Sequence, residues 1–180
     1  MSFHIHKLAI PDVLLIESDV FPDDRGWFAE IFKKTDFVQY GIGPFVQDNQ
    51  SFSRHGVVRG LHYQLPPMAQ GKLVQCVTGE IWDVAVDIRP SSPTFKQWVA
   101  ETLSGENHRM LYIPEGFAHG FVVTGDHATV IYKVTSEYAP DLDRGIRWDD
   151  PDLAIDWPIS SPLVSDKDRK LKGMRECEYE

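Results

Sequence analysis

From about Gly26 to Tyr138 the chain is a succession of short runs rich in Val, Ile, Phe, Tyr, Trp and Thr, with turn-forming residues between them. That rhythm fits strands far better than helices. Helical periodicity is weak, its best candidates being Lys34 to Tyr40 and a turn or two near the C-terminal end. No strand–helix–strand alternation is present. The 12 prolines and 13 glycines fall at a spacing that suits a two-sheet sandwich or jelly roll better than an open parallel sheet. The expected class is all-β and antiparallel. The runs Lys72 to Val77 and Ile81 to Ile88, flanking Thr78-Gly79-Glu80, read as a hairpin, and Gly125-Asp126 reads as a turn folding Gly120 to Val123 back onto Ala128 to Lys133.

A chain of 180 residues is long enough for one domain, which would bury roughly 70% of its unfolded surface. We expect a single domain over residues 1–180, with the charged stretch 171–180 a frayed tail. The apolar fraction of 42% and charged fraction of 25% are those of an ordinary globular protein, and no apolar run is long enough to cross a bilayer. The start, Met1-Ser2-Phe3-His4-Ile5-His6-Lys7, lacks the apolar core of a secretory signal, so a cytoplasmic location is expected. Cys76 and Cys177 show neither CxxC nor metal-site spacing, and a reducing compartment suits both. A net charge of -9 argues against a nucleic-acid partner, which needs cationic surface to displace counterions from phosphates. A small anionic ligand could still be held by Arg25, Arg59, Lys72 and Lys167, which stand in otherwise uncharged or motif-like stretches.

Two runs place ionisable side chains inside strand-like apolar sequence: Gly56 to Gln64 and Ile113 to Phe121. A charged or titrating group there costs free energy unless something pairs with it, which points to a site inside the β-structure. Strand alternation sets His62 with Val58, Gly60 and Gln64 on one face, and Arg59 with Val57, Leu61 and Tyr63 on the other. Arg59 and His62 can therefore share a pocket only if the strand bulges, and Gly60 is the natural place. Taken singly, His62 also reads as a core histidine, Lys72 as a solvated strand end with a buried stem, and Tyr132 as a buried tyrosine whose hydroxyl finds a partner.

Other chemistries lack footing. His62 and His119, the latter in a Pro-x-Gly-x-x-His turn, invite a metal, but no second His stands two residues from His62 and no Glu follows at a short interval, so no metal is expected. There is no GxGxxG after a strand, no GxxxxGK[ST] and no GxSxG elbow. The acidic pairs Asp23-Asp24 and Asp149-Asp150 read as turns rather than as a glycosidase pair.

Taken together, the blocks Asp23 to Glu30, Gln47-Asp48-Asn49 with Ser51 and Ser53, Gly56 to Gln64, Lys72-Leu73-Val74, Ser92-Pro93-Thr94, Ile113 to Phe121, Tyr132-Lys133, Gly145-Ile146 with Trp148, Asp150-Pro151 and Ser165 to Asp168 closely resemble the dTDP-4-dehydrorhamnose 3,5-epimerase family. They run in family order over nearly the whole chain. The resemblance implies a cupin-like jelly roll, a double-stranded β-helix, and inversion of C3 and C5 of dTDP-4-dehydro-6-deoxy-D-glucose to give dTDP-4-dehydro-β-L-rhamnose. Such inversion needs a base near one face of the carbon beside the ketone, stabilisation of the enolate oxygen and an acid on the other face.

By resemblance His62 is the base, Asp168 its partner with Asp166 as the nearby alternative, Lys72 the group beside the enolate and Tyr132 the acid. Gln47, Asp48, Asn49, Arg59, His119, Tyr138, Asp143 and Lys167 are implied as substrate contacts, with Asp143 standing where the family often has a longer Glu. Arg25, Phe28 and Glu30 match a segment that reaches into the partner subunit's site across a homodimer. No cofactor is implied, because neither electrons nor hydride move. Three other readings stay open: a C3-only epimerase, a catalytically silent sugar-nucleotide-binding jelly roll, and a metal-dependent cupin.

Overall fold

The computed structural model describes residues 2–179. In chain order the strands are β1 (Phe3–Lys7), β2 (Leu14–Ser18), β3 (Val20–Asp23), β4 (Gly26–Ala29), β5 (Gln47–Arg54), β6 (Val57–Gln64), β7 (Lys72–Asp87), β8 (Trp98–Ser104), β9 (Arg109–Ile113), β10 (Phe117–Val134), β11 (Asp143–Gly145) and β12 (Leu163–Val164). Two short helices accompany them, α1 (Lys34–Phe37) and α2 (Asp166–Arg169). Both fall where the sequence pattern places its helical candidates.

Two long strands organise everything else. β7 and β10 pair antiparallel from Phe117 opposite Asp87 to Val134 opposite Lys72. The first part of β7 takes β9 as its other neighbour and the last part takes β8, while β10 takes first β6 and then β5. One sheet is thus β1-β2-β9-β7-β10-β5 and the other β8-β7-β10-β6-β11, with the two long strands bending from one into the other. This is the jelly roll of the cupin type.

The two expected hairpins are a correction. Thr78-Gly79-Glu80 and Gly125-Asp126 do not reverse their strands; they face each other in the β7–β10 ribbon, where residues 124–127 stand opposite Glu80 alone. Gly79 has φ +75°, and a Cβ there would lie against the His127 carbonyl oxygen. Turn chemistry is spent on a sheet-to-sheet corner, a use that residue types alone do not distinguish from a reversal.

Between the sheets, Leu15, Val74, Ile81, Ala85, Leu103, Leu111, Phe117, Phe121 and Val130 form the central core. Outside the first sheet, Leu14, Ile16, Leu73 and Met110 are covered by Phe37 and Ile42. Burial of Phe37 alone contributes about 2–3 kcal/mol. Outside the second, Val58, Leu61, Val84, Val86 and Val122 are covered by Ile146, Leu153, Trp157 and Met174. The expectation of a frayed tail is therefore wrong for residues 171–179. Met174 is fully buried, its N–H donates to Asp150 Oδ2 at 2.9 Å, and Tyr63 donates its hydroxyl to the Glu178 carbonyl at 2.6 Å. Charge in the sequence hid an apolar anchor.

The β3–β4 hairpin stands apart as a separate two-stranded sheet. Phe21, Trp27 and Phe28 are largely exposed on it, and Trp27 packs on the His108 ring with centroids 4.3 Å apart. No helix among the described residues is long and apolar enough to cross a membrane.

Candidate active site

The site lies at one end of the sandwich because side chains of both sheets that would otherwise fill the core are polar there. Alternation turns Lys72, Val74 and Cys76 of β7, and Ala128, Val130 and Tyr132 of β10, toward the interior of the first sheet. On β6, Val58 and Leu61 both point to the outer core, which strict alternation forbids. A register shift against β10 between His119 and Phe121 accounts for it. Gly60 has φ +113°, and a Cβ there would stand 2.6 Å from the Gly120 Cα, so only glycine fits. The bulge leaves Arg59 and His62 on the inner side, the condition for a site that both can share.

A cavity of about 290 Å³ opens there, lined among others by Gln47, Asn49, His62, Lys72, Tyr132 and Tyr138. His62 Nε2 and Asp168 Oδ1 are 2.7 Å apart. Asp168 reaches the ring from α2, where Ser165 caps the helix by accepting from the Asp168 N–H at 3.1 Å. Asp166 points away and is fully solvated, its nearest cation being Arg169, so of the two aspartates only Asp168 meets the imidazole. Burial pushes the Asp168 carboxyl up, but hydrogen bonds from His62, Gly60 N–H and Ser165 outweigh it and hold it below the usual carboxylate value.

Lys72 is buried, and its ammonium donates to the His62 carbonyl at 3.2 Å. Burial lowers its pKa to about 8, against the opposing pull of Asp143 and Asp83. Tyr132 is half-buried, and burial raises its phenol above the ordinary value although Arg59 acts against this. At neutral pH the cavity therefore holds a cation that is close to losing its proton and a phenol that keeps one.

The wall is charged and aromatic. Lys167 pairs with Asp143 at 2.6 Å, a bond that raises the lysine's pKa, and Tyr138 donates its hydroxyl to the same carboxylate at 3.3 Å. Asp143 thus reaches the cavity lining despite its short side chain. Gln47 donates to Asn49 Oδ1 at 2.9 Å.

Several expected contacts fall elsewhere. Asp48 follows the alternation of β5 to the outer face and pairs with Lys133 at 2.8 Å, so it does not line the cavity. His119 is sealed between the sheets, bonded through Nε2 to Asp83 Oδ1 at 2.7 Å, and does not reach the cavity wall. Arg59 lies at the margin, donating Nε–H to Ser53 Oγ at 2.9 Å. Arg25 is paired with Asp23 on the projecting hairpin; neither it nor Phe28 or Glu30 enters the cavity of its own chain. Among the described residues no three His, Cys, Asp or Glu side chains gather as a metal site.

Comparison with known proteins decides the family. The model of the family described as dTDP-4-dehydrorhamnose 3,5-epimerase matches residues 7–176. The chain belongs to the dTDP-4-dehydrorhamnose 3,5-epimerase family. A relative of that name from Shigella flexneri is 55% identical over 98% of both chains, and one from Pseudomonas aeruginosa is 53% identical over 96% of both. Among solved structures, the dTDP-6-deoxy-D-glucose-3,5-epimerase of Legionella pneumophila in complex with dTDP-4-keto-L-rhamnose superposes with TM-score 0.95 at 46% identity, covering 98% of this chain and 95% of the other. The chain is an isomerase of the epimerase class.

Within this epimerase fold, three residues take places that the sequence pattern does not assign. Asp83 is the hidden partner of His119; its signal is the one that singles out His62, an ionisable group inside an apolar strand run, here Ile81 to Ile88. Gln64 and Gln70 line the cavity. For Gln64 a signal exists, since alternation sets it on the face of His62.

Proposed function

We propose that this protein inverts C3 and C5 of dTDP-4-dehydro-6-deoxy-D-glucose to give dTDP-4-dehydro-β-L-rhamnose without a cofactor. The carrying observation is that the buried-carboxylate histidine pair, His62–Asp168, opens into the same cavity as Lys72 and Tyr132. An ionised Asp168 can only accept, so the neutral ring keeps its proton on Nε2 and has the Nδ1 lone pair free for a carbon acid. His62 takes the proton beside the ketone, and the C–H electron pair moves to the carbonyl oxygen as an enolate. The Lys72 ammonium, itself withdrawn from water, offsets that charge. Tyr132, kept protonated by burial, returns a proton to the carbon from the other side as the carbonyl re-forms. His62 stands on β6 of one sheet and Tyr132 on β10 within the other, an arrangement that supports delivery to opposite faces.

Arg59, Lys167, Asn49, Gln47 and Tyr138 supply the contacts for the nucleotide diphosphate and its base in this reading, with Arg59 suited to a bidentate phosphate bond. The protein acts as a homodimer in which the β3–β4 arm brings Arg25, Phe28 and Glu30 to the partner's cavity. An exposed aromatic hairpin favours this, as does the Glu30 Oε2, which is buried without a partner among the described residues of the single chain.

Incubation with the keto sugar in deuterated water, without any reductase, tests the function. Deuterium at both C3 and C5 with an L-configured product is expected. Label at C3 alone would replace the assignment with a C3 epimerase, and binding without exchange would leave a binding protein.

A further inference from the structure

We infer that Gln64 and Gln70 are positioning residues that, together with Gln47, hold the backbone of residues 136–139 and thereby set ligand affinity through Tyr138; this rests on the proposed reading of the cavity as a nucleotide-sugar site. One backbone polar group from each of four successive residues is satisfied by a glutamine side chain. Gln70 Nε2 donates to the Ser136 carbonyl at 2.8 Å, and Gln64 Nε2 to the Glu137 carbonyl at 3.1 Å. The Tyr138 N–H donates to Gln47 Oε1 at 2.9 Å, and the Ala139 N–H to Gln64 Oε1 at 2.8 Å. The three glutamines come from β5, from β6 and from the loop leading into β7.

Irregular backbone at a cavity mouth has no strand partner, so its donors and acceptors need side chains or water. Here the side chains are tied down in turn. Gln64 is 6% exposed and spends its second N–H on the Met68 carbonyl at 2.6 Å, so it binds the loop before Lys72 to the loop after Tyr132. Gly71 and Thr135 close the same seam, Gly71 N–H donating to Thr135 Oγ1 at 2.8 Å and Thr135 N–H to the Gly71 carbonyl at 3.0 Å. Tyr138 itself is 55% exposed, held by its backbone and by the bond of its hydroxyl to Asp143 rather than by packing. A half-solvated ring contributes more affinity when its backbone is ordered before the ligand arrives, because less ordering entropy is lost on binding. The glutamine cradle does that.

Gln70→Met and Gln64→Met keep the side-chain volume and delete the hydrogen bonds. Each is expected to raise the KM for the keto sugar and the Kd for thymidine diphosphate roughly five- to twentyfold, with kcat within about threefold of the parent. Amide exchange at Tyr138 and Ala139 should quicken in the full-length protein without ligand. The deciding measurement is a cycle with Tyr138→Ala: once the ring is gone, Gln70→Met should change Kd by less than about twofold. Additive effects would overturn the inference in favour of direct contact with the ligand, and a fall in kcat at unchanged KM would overturn it in favour of a role in the chemistry. Should Gln64→Met unfold the protein, the half-buried Gln70 decides alone. A parent protein that binds no thymidine diphosphate would refute the proposed function, whereas unchanged amide exchange in the variants would refute the cradle itself.

Discussion

Two histidine–carboxylate pairs stand side by side in this fold. His62 and His119 face each other across the β6–β10 ladder, and each places Nε2 at 2.7 Å from an aspartate oxygen. Their surroundings differ. The His62 side chain keeps 32% exposure and opens into the cavity, whereas His119 keeps 8% and Asp83 none. Asp168 has its second oxygen 3.4 Å from the Gly60 N–H, while Asp83 Oδ2 has no partner among the described residues. In the proposed reaction the same pair geometry is a base where a ligand can arrive, and in the closed interior it is an internal tie. Access, rather than the pair, assigns the role.

The two pairs separate most visibly if each histidine is exchanged for alanine. His62→Ala should lower deuterium exchange at C3 and C5 by roughly 10³-fold or more, and thymidine diphosphate should still bind; buried Asp168 loses one partner but keeps the Gly60 N–H, so Tm should fall less than in His119→Ala. His119→Ala leaves Asp83 buried without a partner; it should cost about 3 kcal/mol, seen as a Tm lower by roughly 6–12 °C. Its turnover per folded molecule should fall far less than in His62→Ala. Equal catalytic losses with an unchanged Tm would show that His119 acts on substrate.

Asp168→Asn tests the contrast within one pair. The amide keeps the shape but no longer fixes the tautomer or favours the imidazolium, so kcat should fall about 10²- to 10⁴-fold with a small change in Tm.

Lys72 adds a pH signature. Its folded pKa of about 8 lies below the usual lysine value because burial disfavours the cation. The cation therefore prevails below about pH 8, and kcat/KM should decline as pH rises above it. Lys72→Met should abolish turnover yet stabilise the fold at neutral pH by on the order of 1–3 kcal/mol. The parent's penalty is fully present below about pH 8 and fades as pH rises toward the ordinary lysine value of 10.5, where the unfolded chain loses its proton too. The stability gain of the variant should fade over the same window. A variant no more stable than the parent at pH 7 would contradict the burial cost.

The smallest effect is expected at Asp48, whose ion pair with Lys133 lies on the outer face of β5. Asp48→Ala should leave KM unchanged and move Tm by no more than about 1–2 °C. A raised KM would place Asp48 back among the substrate contacts.

Much of this is legible in the order of the amino acids. Val-, Ile- and aromatic-rich runs without helical period mark an antiparallel β fold, whereas the polar run Gln47 to Arg54 does not announce a strand, and only its pairing in β5 parts Asp48 from Gln47 and Asn49. The conditional bulge at Gly60 is readable because a glycine stands between two residues that need the same face. The corners at Gly79 and Gly125 are not. A glycine with positive φ suits a reversal and a bend alike, and only the partner strand decides between them.

Strand content and the kinds of group available to a site follow from the amino-acid sequence, because alternation and turn chemistry are local. Which of those groups meet follows from the packed fold. Asp168 arrives at His62 from 106 residues away, Asp83 arrives at His119 from 36, and Lys72 becomes a weakened cation only when both sheets close over it. Access and desolvation are properties of the assembled interior; no residue carries them in its own neighbourhood of the chain.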